Sequence, residues 1–313
     1  MASTGGHLDE LLRLRGRLDP PDGDVHWATA DTEQSREVLA TESVSWMPIV
    51  PSKDLAGALA CLPCAIRIVR DIRPERVVST GAALALPFFV AARLRGVPCH
   101  YIESAARSQG PSLTGRLSER LPGVRLYTQY RAWASERWRE AGSVFDGYDG
   151  TDPVPAPEGG LRRVVVTLGT QGAFSFRRAL EALTQALPTV CAPGAQILWQ
   201  TGGTDPSGLA IEARPTVPPS VLREAVGAAD LVVAHAGVGS ALMALDAGRT
   251  PVLVPRRHAY DEHTDDHQVL IAAELERRGL AVAAPPEELT AEAMLRAATG
   301  RVVRREGPPI QLG

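Results

Sequence analysis

The spacing of hydrophobic residues predicts helices alternating with short buried strands along most of the chain. Apolar residues recur at helical spacing between residues 6 and 17, namely Leu8, Leu11, Leu12 and Leu14. The run from Val164 to Leu168 is almost entirely apolar and β-branched, which is typical of a strand buried on both faces. Comparable runs predict further strands at residues 25–28, 76–79, 97–102, 125–128, 196–200, 231–234, 251–254 and 280–283, with 125–128 as the last strand of the first half.

Helical patterns separate these strands. The longest covers residues 54–73, where Pro63 predicts a kink. Because strands alternate with helices, we predict an α/β fold of doubly wound parallel sheets. The remaining predicted helices cover residues 84–94, 176–187, 221–228, 240–247 and 265–278.

A change of composition divides the chain into two halves. Residues 146–160 read DGYDGTDPVPAPEGG, without apolar periodicity, and are predicted to be a linker. We therefore predict two Rossmann-like domains, residues 1–145 and 161–313, facing a cleft. Ligands of open parallel sheets bind beyond the carboxyl ends of the strands, so the turns that follow the strands are the candidate binding residues.

Composition and charge narrow the classes of function. The net charge of −3 over 313 residues argues against a nucleic-acid partner. No apolar run reaches the roughly 18 residues of a membrane span, so any membrane contact is expected to be peripheral. Four cysteines without a secretory signal favour a reduced, cytoplasmic chain. The pair Cys61 and Cys64 has C-x-x-C spacing but lies in a predicted helix, which disfavours a redox role.

The strongest candidate for ligand binding is the turn from Ala234 to Ser240, AHAGVGS, which follows a predicted strand and opens a helix. Glycines let the backbone approach a ligand, and the first N–H groups of a helix point at it, so such turns bind phosphate. A tight turn without a ligand fits the same pattern. The sequence there matches neither a Walker motif nor a dinucleotide-binding glycine fingerprint. Two more glycine turns, at 167–172 and 200–204, follow strands of the same predicted sheet.

The loop 256–268 is rich in side chains that can hydrogen-bond hydroxyl groups. Asp266 and Gln268, close to a predicted helix start, are candidates for holding a sugar. His263 and His267 are four residues apart, which raises the question of a metal site. Because no third ligand is evident except Asp or Glu, a solvated helix start explains the pattern better, and we predict no metal.

In the first half, the turn Ser3-Thr4-Gly5-Gly6-His7 leads into a helix, and only Met1-Ala2-Ser3 stands before the glycine-rich part of the turn to form a first strand. A histidine titrates near neutral pH and can act as a general base, although a surface histidine would fit the same pattern. Glu103 follows a predicted strand and is a second candidate base. A helix cap or a solvated loop acid explains Glu103 equally well.

These elements together resemble a known family. The run from His235 to Leu275 resembles the donor-binding region of glycosyltransferase family 28 C-terminal domains, especially in PssE exopolysaccharide subunits and in the catalytic subunit of the eukaryotic dolichol-linked UDP-GlcNAc transferase. The first half resembles their PssD-like partner subunits through Gly5-Gly6-His7, Tyr101–Ser104 and Pro111–Leu117. More distantly, both halves resemble MurG. The resemblance covers about residues 3–285. It does not extend to the membrane anchor that eukaryotic partner subunits carry.

The resemblance implies a GT-B fold and an inverting transfer of a hexose-type sugar from a UDP-sugar, without a metal or other cofactor. Backbone N–H groups at Gly237–Ser240 and Gly169–Thr170 would meet the charge of the departing diphosphate. His7 is the first choice for the catalytic base and Glu103 the second, with Gly5, Gly6 and Ser104 on the acceptor side. The predicted donor-binding residues are Gly169, Thr170, Gln171, Gly202, Gly203, His235, Gly237, Val238, Gly239, Ser240, Arg256, Glu262, His263, Asp266, His267 and Gln268.

The implied acceptor is a polyprenyl-diphosphate saccharide at the cytoplasmic face of the membrane, in polysaccharide or glycoconjugate synthesis. A soluble natural-product acceptor stays open. The apolar stripe of helix 54–73 could lie on a membrane, although burial in the core is the commoner explanation of such a stripe; it comprises Leu55, Leu59, Leu62, Ile66 and Val69. Two other functions also fit the sequence, a UDP-sugar epimerase of the same architecture and a non-catalytic nucleotide-sugar binding protein.

Overall fold

The computed structural model describes residues 1–19, 24–51, 54–170 and 174–313. The chain forms two compact units, one of residues 1–144 with 307–313 and the other of residues 145–306. The helices are α1 (Gly6–Arg15), α2 (Glu33–Val38), α3 (Leu55–Ala60), α4 (Leu62–Ile72), α5 (Ala85–Arg93), α6 (Leu113–Glu119), α7 (Arg177–Ala186), α8 (Pro219–Ala228), α9 (Val238–Asp246), α10 (His267–Arg277) and α11 (Ala291–Thr299). The strands are β1 (Leu18–Asp19), β2 (His26–Ala30), β3 (Ser43–Met47), β4 (Val77–Ser79), β5 (Cys99–Ile102), β6 (Val124–Thr128), β7 (Trp138–Glu140), β8 (Tyr148–Thr151), β9 (Leu161–Thr167), β10 (Cys191–Gln200), β11 (Ala213–Arg214), β12 (Leu231–His235), β13 (Val252–Val254), β14 (Val282–Ala283), β15 (Arg301–Arg304) and β16 (Ile310–Gln311).

The first unit is built on parallel strands. Strands β4, β5, β6 and β7 form one sheet in that order, and β2 pairs with β3. The first two residues lie between these sheets, since Ala2 N–H donates to Ala28 O at 3.2 Å and the Met1 amine donates to Val78 O at 2.6 Å. The prediction that β6 is the last strand of this half was wrong. Strand β7 follows it, and its sequence WRE has no apolar run to signal a strand.

The long helix predicted over residues 54–73 is two helices, α3 and α4. Pro63 lies in the first turn of α4, where its missing N–H has no intrahelical partner to lose, so it starts a helix rather than kinking one. The predicted apolar stripe is split by this break. Val69 is buried, whereas Leu55, Leu59 and Ile66 are 39%, 66% and 40% exposed.

The second unit contains a six-stranded parallel sheet in the order β11-β10-β9-β12-β13-β14. Alternate residues of a strand face opposite sides, and β9 follows this rule. Val164 and Val166 pack in a core with Leu180 of α7, while Val165 packs on the other face with Leu222 of α8. Burial on both faces explains why the apolar run of β9 predicts the strand correctly.

Part of the segment predicted to be a linker, residues 146–160, has regular structure. Strand β8 pairs antiparallel with β15, with Gly150 opposite Val302. A β-carbon on Gly150 would lie 2.8 Å from the carbonyl oxygen of Gly279, so the backbones approach closely there. Of the helices in the described ranges, none is long and apolar enough to cross a membrane.

Candidate functional site

Three glycine turns meet at the carboxyl edge of the second unit's sheet, after β9, β10 and β12. A β-carbon on Gly202 would lie 2.3 Å from Gly169 O, and one on Gly169 would lie 2.9 Å from His235 Cε1. Gly169 and Gly202 also have positive φ angles of 84° and 62°, which other residues rarely adopt. The predicted turns therefore touch one another and form one continuous surface of backbone around the His235 ring.

The turn after β12 leads into α9 at Val238, with Gly237 as the preceding cap residue. The first turn of an α-helix carries N–H groups that have no carbonyl partner within the helix, and it bears the positive end of the helix dipole. Gly239 faces open space, since a β-carbon there would meet no atom within 4 Å. Val238, Gly239 and Ser240 thus present a backbone surface that suits an anion such as a diphosphate.

His235 lies beneath these turns. Its Nδ1 is 3.5 Å from Thr167 O and 3.5 Å from the Ser240 hydroxyl. Burial, with the nearby positive charge of Arg256, lowers the pKa of His235 to about 4. The imidazole is therefore neutral at pH 7, and it serves as a hydrogen-bonding wall of the site rather than as a cation.

Arg256, predicted to bind donor, has its guanidinium turned into the protein. It donates to Leu168 O at 2.9 Å, Glu262 O at 3.1 Å and Phe174 O at 3.2 Å. The guanidinium also lies 4.7 Å from the centre of the Phe176 ring. Through these contacts, Arg256 holds the loop 256–268 against the turn after β9.

The other polar residues of this loop also make internal contacts. Gln268 Oε1 accepts from the Arg256 N–H at 3.1 Å, and Glu262 pairs with Arg178 at 3.1 Å. Asp266 Oδ1 accepts from the His258 N–H at 2.8 Å. These bonds fix the start of α10, where Gln268 and His267 lie in the first turn.

The remaining predicted donor-binding residues that the structure describes lie in the glycine turns and in the loop before α10. Thr170 and Gly203 are exposed residues of the turns after β9 and β10. Gln171 lies outside the described residues. His263 stacks on Phe174, with ring centres 5.6 Å apart, and its ring centre is 4.5 Å from that of His267.

In the first unit, His7 lies in the first turn of α1, after Gly5 and Gly6. His7 Nδ1 lies 3.0 Å from Thr80 O, and the Thr80 hydroxyl donates to His7 O at 2.7 Å. A carbonyl oxygen only accepts, so Nδ1 carries the proton and Nε2 keeps its lone pair. Burial lowers the pKa of His7, partly offset by the bond to Thr80. His7 is therefore a neutral imidazole near pH 7, ready to accept a proton at Nε2.

Glu103 is buried, and its carboxylate accepts three hydrogen bonds. Its carboxylate accepts from Tyr101 OH at 3.0 Å, from the Ser104 N–H at 3.2 Å and from the Ser112 N–H at 2.8 Å. Burial nevertheless raises the pKa of Glu103. A β-carbon on Gly115 would lie 2.4 Å from Glu103 Oε2, so that side of the carboxylate is closed. These contacts favour a role in shaping the turn at Ser104 over one as a base.

Glu10 was missed by the sequence reasoning. Its carboxylate is 2% exposed and accepts from the Ala105 N–H at 2.6 Å and from Gln129 Nε2. Burial raises the pKa of Glu10 to about 7. The helical spacing in the sequence indicates the burial of Glu10. Glu10 lies three residues after His7 and four before Leu14, on the buried face of α1.

Comparison with known proteins identifies the family of the chain. Residues 163–299 match the glycosyltransferase family 28 C-terminal domain. The chain is 30% identical to a UDP-N-acetylglucosamine–N-acetylmuramyl-(pentapeptide) pyrophosphoryl-undecaprenol N-acetylglucosamine transferase from Synechococcus sp. (strain CC9311), over 87% of this chain and 79% of the relative. The chain belongs to the MurG-like glycosyltransferases of family 28. The prediction of a glycosyltransferase is thereby confirmed.

Two solved structures show the fold. MurG from Acinetobacter baumannii superimposes with a TM-score of 0.59 and 18% identity, covering 96% of this chain and 93% of that one. The UDP-GlcNAc 2-epimerase from Methanocaldococcus jannaschii superimposes with a TM-score of 0.61 and 11% identity, covering 99% of this chain and 94% of that one. These likenesses confirm the predicted GT-B fold of this glycosyltransferase.

Proposed function

We propose that this MurG-like glycosyltransferase moves a hexose-type sugar from a UDP-sugar to a polyprenyl-diphosphate saccharide, with inversion at the anomeric carbon. The observation that carries the proposal is the continuous backbone surface at Gly169, Gly202 and Gly237, which opens onto the start of α9. The name of the Synechococcus relative supports the donor and acceptor classes, because it specifies a UDP-sugar donor and an undecaprenol-linked acceptor for that protein.

In this proposal the second unit binds the donor. Backbone N–H groups of Val238, Gly239 and Ser240 face the diphosphate, whose negative charge grows as the bond to the sugar breaks. Gln268 and Asp266, held at the start of α10, are the proposed partners of sugar hydroxyls. Arg256 and Glu262 act indirectly, because their polar atoms hold the loop that presents α10.

The first unit supplies the base. His7 Nε2 takes the proton of the acceptor hydroxyl, and that oxygen attacks the anomeric carbon while the UDP oxygen leaves. The bond from His7 Nδ1 to Thr80 O holds the ring in the tautomer that this step needs. Glu103 and Glu10 instead hold the turn at Ser104 and Ala105 on the acceptor side.

A lipid-linked acceptor requires contact with a membrane, which we propose occurs through α3 and α4 at the cytoplasmic face. Leu55, Leu59 and Ile66 are exposed there, and the exposed Arg67 and Arg70 of α4 suit anionic headgroups. Sedimentation with phosphatidylglycerol vesicles tests this contact. Leu59→Glu should reduce the bound fraction, and binding equal to that of the unchanged protein would refute it.

The resemblance to PssD and PssE subunits supports a place in exopolysaccharide or glycoconjugate synthesis. The epimerase likeness, at 11% identity, reflects the shared fold alone. One assay tests transfer directly: UDP-GlcNAc is supplied with and without a short-chain polyprenyl-diphosphate saccharide, and UDP release is measured. We expect release only with acceptor, together with a lipid product heavier by one sugar.

Other outcomes of this assay would revise the proposal. Conversion of the UDP-sugar without any acceptor would establish the epimerase. Transfer to a soluble aglycone but not to the lipid would change the acceptor class. UDP-sugar binding without any product would indicate a binding protein.

A further inference from the structure

Three metal-ligating side chains converge at the end of the loop that leads into α10. One ligand atom each from His263, Asp265 and His267 lies within 4.8 Å of the others. His267 Nδ1 is hydrogen-bonded to Asp265 Oδ1, and His263 Nδ1 is 3.5 Å from the same oxygen. From the sequence alone we considered the two histidines and predicted no metal, because no third ligand was evident except Asp or Glu. The fold places Asp265 beside both histidines.

The spacing of these atoms suits a common metal ion. Two atoms bound tetrahedrally to Zn²⁺ at about 2.0–2.1 Å lie roughly 3.3 Å from each other. The separation of 3.5 Å between His263 Nδ1 and Asp265 Oδ1 is close to this value. A metal would replace the proton that joins Asp265 to His267. Small side-chain rotations would bring the ligand atoms of all three residues to bonding distance from the ion.

The surroundings of the three side chains also suit a metal site. Their exposed fractions are 13% for His263, 40% for Asp265 and 19% for His267, so an ion can enter from solvent. Phe174 stacks on the His263 ring and limits its rotation. The neighbouring Asp266 accepts from the His258 N–H, which places its carboxylate in the loop rather than in the cluster.

The ligand set indicates the class of metal. Imidazole nitrogen suits Zn²⁺, Co²⁺ and Ni²⁺, whereas Mg²⁺ and Ca²⁺ prefer oxygen ligands. We propose that His263, Asp265 and His267 form a binding site for one divalent transition-metal ion of the Zn²⁺ class, with an open fourth position. This inference concerns metal binding alone and does not rest on the proposed reaction. Because α10 begins at His267, the bound ion would hold the loop and the helix start together.

Titration of the metal-free protein with Zn²⁺, followed by calorimetry, tests the site. We expect one ion per chain, and a loss of affinity of at least about tenfold in each of His263→Gln, Asp265→Asn and His267→Gln. His26→Gln, a substitution of a histidine in β2, is the matched control and should bind as the unchanged protein does. Co²⁺ should give visible absorption bands that the three variants lack.

Thermal unfolding supplies a second readout that does not depend on activity. Zn²⁺ should raise the unfolding temperature of the unchanged protein and of His26→Gln, but not that of the cluster variants. Circular dichroism of each variant without metal shows whether it is folded. Absence of Zn²⁺ binding in the unchanged protein would overturn the proposal. Binding that survives all three substitutions but is lost in Cys64→Ser would also overturn it, and would place the ion at the cysteine pair.

Discussion

Gly237 lies so close to His235 that a β-carbon on Gly237 would be 2.4 Å from His235 Nε2. The backbone of Gly237, with φ −80° and ψ 138°, is open to any residue, so the ring alone excludes a side chain. Glycine at this position therefore lets the histidine lie under the start of α9. The same ring meets Gly169 from the turn after β9.

The first prediction follows from this contact. Gly237→Ala should displace the His235 ring and with it the turn into α9, so UDP binding should weaken by roughly tenfold, while the overpacking itself costs about 1–3 kcal/mol of folding stability. Gly227→Ala is the control, because Gly227 is exposed in α8 with no atom near a new β-carbon. Calorimetric titration with UDP gives the affinities, and unchanged affinity in Gly237→Ala would contradict the contact's role.

The second prediction concerns the base. His7→Gln keeps an N–H that can donate to Thr80 O but loses the basic Nε2, so kcat should fall on the order of a hundredfold or more. UDP affinity should stay unchanged, and His26→Gln should keep full activity. Because the pKa of His7 is lowered, the rate should be sustained below pH 6.5 before it declines. A kcat within a few-fold of normal would refute the assignment.

The third prediction concerns Glu10, whose pKa is raised from 4.5 to about 7 in the folded protein. Between these two values the folded state holds a proton that the unfolded state has lost, so stability declines as pH rises through this window. The shift corresponds to a change on the order of 3 kcal/mol.

Glu10→Gln keeps an oxygen that can accept from Ala105 but cannot ionise, and should remove this contribution. Urea unfolding of both proteins at pH 5 and pH 8 measures it. The stability difference between the two pH values should be smaller in Glu10→Gln. An equal difference in both proteins would show that Glu10 does not titrate in this range.

The sequence predicted the elements that repeat a strong local pattern. The apolar run of β9 and the turn into α9 identified the sheet edge, because a β-branched apolar run is typical of a strand buried on both faces and a glycine turn follows such a strand at its carboxyl end. Strand β7 was missed because it is short and two of its three residues are exposed. Glu10 was missed because a charged helix residue is usually on the solvent face.

The orientation of Arg256 shows another limit of sequence reasoning. A basic residue after a strand end is typical of an anion site, yet the Arg256 guanidinium donates to the carbonyl oxygens of Leu168 and Phe174, which are 88 and 82 residues away along the chain, and to that of Glu262 in its own loop. Only the fold brings Leu168 and Phe174 next to it. Asp265 is similar, since its approach to both histidines depends on the path of the loop.

The central claim is that a nucleoside diphosphate binds at the turn into α9. Gly239 tests it most directly, because a small side chain there meets open space and a large one fills it. Calorimetric titration with UDP should show normal binding in Gly239→Ala and none in Gly239→Trp, with both variants folded. UDP binding by Gly239→Trp at the affinity of the unchanged protein would contradict the account, as would the absence of UDP binding in the unchanged protein.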